Sequence, residues 1–157
     1  MGCKGLEFSD RLTRGFLAGL VGGILMDIIS YISLKLKIAD LHHSDWPAII
    51  LFGHQPTNTI EAVFALLIQL IFVGFLGILF TYLVTGLFSN ENYLFKGWLF
   101  GVISWFIIYV ITFLAKIPEL APLDTGTAIT DFIAGSVYGL VLAETIHRLE
   151  NKVFREI

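Results

Sequence analysis

The chain has 157 residues, of which 56% are hydrophobic and 15% charged, and a net charge of −3; its mean hydropathy is +0.81. A soluble domain of this size would carry more apolar surface than it could hide, and scattered charge with no basic tract argues against nucleic acid as a partner. The single cysteine, Cys3, allows neither an internal disulfide nor a cysteine-based metal centre.

Four apolar runs, approximately 16–36, 60–88, 97–115 and 128–146, fill most of a single membrane domain, 1–157. A helix needs about 20 apolar residues to cross a hydrocarbon core of ~30 Å, and each run approaches or exceeds that. Barrel strands alternate over ~10 residues, whereas these runs are continuous. The expected fold class is therefore all-α, a transmembrane four-helix bundle whose last helix extends past the membrane. The first run is too long for a signal-peptide core and carries Asp27 within it. Met1-Gly2-Cys3 looks like an acylation start, but Leu6 stands where Ser or Thr is required.

Four spans put both ends of the chain on one side. That side holds seven of the ten Lys and Arg, so the positive-inside rule predicts cytoplasmic termini. Trp46 and Trp98 fall near opposite boundaries, where an aromatic belt is expected. The connection 38–58 holds an apolar stretch from Asp45 to Gly53, too short to span and suited to lie at the interface or re-enter. Pro118, Pro122 and Gly126 mark 117–127 as a compact loop, and Ser89–Asn92 as a tight turn.

The first span opens Arg14-Gly15-Phe16-Leu17-Ala18-Gly19 and the third Lys96-Gly97-Trp98-Leu99-Phe100-Gly101. Both read basic, Gly, aromatic, Leu, any, Gly, which suggests two hairpins in parallel repeat. Each span also carries a small-residue face: Gly15, Gly19 and Gly23, then Gly74 and Gly77, Gly97 and Gly101, and Gly135 and Gly139. In lipid, close backbone approach through such residues drives helix association. These faces can build one bundle or join several copies.

Asp27 is the polar residue that most needs an explanation. It lies about 16 Å along the first span, near the midplane, where an ionisable group costs at least ~2.5 kcal/mol. Gln69, Tyr109 and Tyr138 fall near the same level, so they form a candidate polar clamp, or with Asp27 a proton or cation relay. Glu61 follows Asn58 as in a capping box. Asp131 is placed in the first turn of the last span, where an acid complements the helix dipole. Glu144 precedes Arg148 by four residues, the favourable order for an ion pair.

His42, His43, Asp45 and His54 gather in one connection, yet adjacent histidines lack the i, i+4 spacing of a helical ligand pair, and no metal site is expected. No nucleophile elbow, phosphate loop, dinucleotide glycine pattern or H-E-x-x-H occurs. Neither catalysis nor a cofactor is expected.

The Arg-Gly-Phe-Leu-Ala-Gly start, Gln-Pro-Thr-Asn at 55–58 and Lys-Gly-Trp at 96–98 resemble the small uncharacterised four-span proteins of bacterial genomes. The resemblance implies a bacterial inner-membrane-type protein and carries no activity. The leading expectation is a non-enzymatic, self-associating membrane protein with a structural role, copies packing through Gly-rich and Phe/Leu/Ile faces into an oligomer, sheet or tube. The competing expectation is a small channel or transporter for protons or cations using Asp27, with Glu61 and Asp131. Membrane lipids and further copies are the expected partners, or else a larger membrane complex.

Overall fold

A computed structural model describes residues 10–87, 92–120 and 122–153. The acylation start and most of the turn at 89–92 lie outside the described residues. The elements are α1 (Arg11–Lys35), α2 (Asp45–Phe52), α3 (Thr59–Leu87), α4 (Tyr93–Leu114) and α5 (Thr125–Val153). The described residues contain no strand. Four of the helices, α1, α3, α4 and α5, are long and apolar enough to cross a membrane. They turn Phe75, Phe106, Ile111 and Leu114 outward, each more than half exposed, which water would penalise and lipid does not. By length and composition, this is an integral membrane protein.

All four spanning helices start before the apolar runs, because capping chemistry, not hydropathy, sets their starts. Asp10 Oδ1 accepts the Leu12 N–H (3.3 Å) at the start of α1, and Asp124 Oδ2 accepts the Gly126 N–H (2.8 Å) at the start of α5. Asn58 and Glu61 close the expected capping box on α3: Asn58 Oδ1 accepts the Glu61 N–H (3.0 Å). The Glu61 carboxylate accepts from the Thr57 N–H (2.8 Å) and from Asn58 Nδ2 (2.8 Å).

Two helices end alike. After α1, Lys37 takes a left-handed φ of 59°, and after α4, Lys116 takes 55°. In each case the next isoleucine N–H reaches back: Ile38 to Ser33 O (3.0 Å) and Ile117 to Thr112 O (3.4 Å). With Lys37 N–H on Leu34 O (3.0 Å) and Lys116 N–H on Phe113 O (3.1 Å), both are Schellman ends.

The same correspondence governs packing. A Cβ on Gly15 would overlap the Gly77 backbone, and one on Gly19 the Val73–Gly74 backbone, so α1 and α3 meet almost main chain to main chain. A Cβ on Gly97 or Gly101 would overlap the carbonyl oxygen of Gly139 or Gly135 in the same way across α4 and α5. The glycine faces expected to pack helices do so within one chain. Two glycine-zipped hairpins of like orientation result, in keeping with the repeat seen in the sequence.

They join unequally. α1 packs closely on α5, whereas α3 and α4 barely touch. The α1–α5 seam is tied by the Ser33–Thr130 hydroxyl pair (2.6 Å), by Gly22 against the Tyr138 ring, and by Asp40 N–H on Thr127 Oγ1 (2.9 Å). The α3–α4 seam stays open. Into its end comes α2, whose eight residues span only about 12 Å and cannot cross a bilayer. It packs on α3, and its Trp46 and Ile49 join Leu41 and Leu120 in a small core. Trp46 is thus a buried residue, packed among protein side chains at the end of the seam.

Candidate functional site

The open seam encloses a cavity of about 280 Å³. Each helix presents one stripe to it. α3 contributes Gln69, Phe72, Val73 and Leu76, α4 Gly101, Ser104, Trp105 and Ile108, and α5 Asp131, Gly135 and Tyr138. These spacings of three, four and seven residues mark one helical face in each case. Trp46, Pro47, Ile50 and Leu51 of α2 close one end, and Met26 comes from α1.

The walls are almost wholly apolar, with a few polar side chains among them. His43 Nδ1, Gln69 Oε1, Trp105 Nε1 and Asp131 Oδ2 are buried and lack a well-formed hydrogen bond, the His43 ring and the Trp105 indole both lying beside the Asp131 carboxyl, and all four residues line this cavity. Buried polar atoms are almost always paired, because leaving one unmet costs about 1–3 kcal/mol. Four such atoms, drawn from three helices and a loop, lie just behind this wall, those of His43 and Trp105 beside Asp131.

Each polar group is held by its own local structure. Asp131 is 1% exposed. The sequence placed it in the first turn of its helix, but α5 begins at Thr125 and has no acid in that turn, so Asp131 stands in the second turn and faces inward. Its Oδ1 is 3.5 Å from His43 Nδ1. His43 is fixed by its backbone N–H on Ser30 Oγ (3.1 Å). Burial, with a smaller push from neighbouring His42, drives its pKa down to about 4, so near neutrality its ring is uncharged and the contact with Asp131 is not an ion pair. Trp105 is steadied by stacking on Tyr109 (centroids 6.3 Å apart).

Gln69 bridges the cavity to Asp27. Its Nε2 donates to Asp27 Oδ1, the clamp expected from their shared depth, and its Oε1 is buried without a partner. The other expected partners go elsewhere. Tyr138 donates to Val73 O (2.7 Å), and Tyr109 lies against Trp105 and Phe113. Glu61 is occupied at its cap, away from these groups.

The sequence of one family, the family of unknown function DUF6789, matches residues 9–156. The chain belongs to that family. No curated protein and no solved structure matches it. The DUF6789 match covers every element that builds the cavity, from α1 to α5.

The other two histidines of the 38–58 connection in this family member are engaged by local partners. His42 Nδ1 accepts the Ser44 N–H (3.1 Å), which leaves Nε2–H to donate to Asp27 O (3.3 Å). Asp45 Oδ2 accepts the His42 N–H (2.8 Å). His54 bonds Gln55 O (2.8 Å) and stacks on Phe52. Among the described residues, no three His, Cys, Asp or Glu gather closely enough to hold a metal ion. Sequence reasoning treated Trp105 only as part of an apolar run and His43 only as one of an interfacial cluster. An indole in mid-span, which carries an N–H that lipid cannot satisfy, was the available signal.

Proposed function

We propose that this protein binds a small molecule with an apolar body and a polar end, taken up sideways from the bilayer through the open α3–α4 seam. What carries this is one otherwise apolar cavity whose wall includes His43, Gln69, Trp105 and Asp131, each with a buried polar atom that lacks a well-formed hydrogen bond. Ligand sites have this makeup, mostly apolar walls with a few polar groups that fix orientation. The role is binding, or carriage of the bound molecule between leaflets, without covalent chemistry.

The test is thermal unfolding of the purified protein in detergent with a panel of benzene-ring compounds bearing different polar ends. At least one is expected to raise the unfolding midpoint of the wild type and leave that of Ser104→Phe, which fills the cavity, unmoved. A panel with no selective shift would overturn the proposal.

Self-association into a scaffold has a narrower basis than the sequence suggested. The glycine faces are engaged inside the chain, so copies would have to meet through the outward Phe, Ile and Leu side chains alone. Single-particle imaging in native membranes decides between an extended array and isolated bundles.

A further inference from the structure

The charge around the cavity narrows the ligand further, given the binding role just proposed. The wall holds one acid, Asp131, and neither Lys nor Arg. His43, whose Nδ1 is 3.5 Å from that carboxyl, is uncharged near neutrality. An anionic head would meet a carboxylate with nothing to neutralise either charge, an arrangement that costs several kcal/mol in low dielectric. Two of the unmet atoms, Asp131 Oδ2 and Gln69 Oε1, are hydrogen-bond acceptors and call for a donor. Aromatic faces surround them: Trp46, Phe72 and Trp105 line the same space, and such faces attract a cation, more strongly once it is desolvated.

We infer that the cavity takes a lipophilic organic cation, a protonated amine on an apolar body, with its N–H groups on Asp131 Oδ2 and Gln69 Oε1. Binding has to offset both the desolvation of the incoming head and the ionisation of a buried acid. A neutral amine takes the carboxyl proton, or an ammonium binds as that proton leaves for solvent, and both routes end in the same ammonium–carboxylate pair. The apolar body fills the space walled by Phe72, Leu76 and Ile108 and enters through the α3–α4 gap.

Isothermal titration calorimetry on the full chain in phosphatidylcholine nanodiscs, with empty nanodiscs subtracted, tests this. Three probes share one body and differ only in the head: phenylbutylamine, phenylbutanol and phenylbutanoate. The amine is expected to bind at least about tenfold tighter than the alcohol, and the acid more weakly than both. Asp131→Asn is expected to bring amine and alcohol within about threefold of each other. Because the head-group series is measured on the wild type, a variant that fails to fold does not remove the test. If alcohol or acid binds as tightly as the amine, the cationic ligand is wrong and the cavity still binds. If none of the three gives heat above the empty nanodiscs, the binding role itself falls.

Discussion

The Gln69 side-chain amide is bound at one end only: its Nε2 donates to Asp27 Oδ1, while its buried Oε1 has no hydrogen-bond partner. Gln69→Leu removes the donor and leaves a half-buried carboxyl without that partner, a loss of roughly 1–3 kcal/mol. Asp27→Asn keeps an acceptor for the Gln69 amide and is expected to cost under about 1 kcal/mol, the usual scale for an interhelical hydrogen bond in a membrane. Unfolding in mixed micelles measures both, and equal costs would show that the Gln69 bond is not what holds Asp27.

Glycines that look equivalent in the sequence differ in the room around them. A Cβ on Gly139 would run into Gly97 O, with the Gly101 N only 3.0 Å away. At Gly135 the nearest atom would be Trp105 Cβ at 3.3 Å, followed by Gly101 O at 3.4 Å. Gly139→Ala must push two backbones apart and is expected to cost about 1–3 kcal/mol. Gly135→Ala is expected to stay within about 0.5 kcal/mol. The same unfolding assay distinguishes them, and a reversal of the order would contradict the helix contact described.

His43 supplies the pH dependence. Its pKa falls from 6.5 to about 4 on folding, so the unfolded chain holds the extra proton between those values. Its contribution to stability is complete above pH 6.5 and is lost as pH falls towards 4, by at most about 3 kcal/mol. His43→Phe, which keeps a ring and cannot titrate, is expected to flatten that part of the stability profile. The check is the difference between wild-type and variant unfolding at pH 7 and pH 4.5, and parallel profiles would refute it.

Glu61 caps α3. Glu61→Ala removes the acceptor of the Thr57 and Asn58 donors at the start of α3 and is expected to lower the unfolding midpoint slightly. Binding at the cavity is expected to be unchanged by calorimetry. A loss of binding in a folded variant would place Glu61 in the site after all.

Long apolar runs, the paired Gly15–Gly19 and Gly97–Gly101 starts, the Asn58–Glu61 box and the Asp27–Gln69 match in depth were all readable along the chain, because each is set by spacing within one helix or by its distance from a helix end. Which seam would close and which would open was not. In lipid a helix is apolar on nearly every side, so hydropathy does not mark the face that meets a neighbour. Ser33 with Thr130 on one seam, and Trp105 and Gln69 on the walls of the other, belong together only once the hairpins dock. The cavity arises from that docking: folding brings His43 from a loop beside Asp131 of α5, and the unequal meeting of two similar hairpins leaves between them an apolar space with these buried polar groups at its wall.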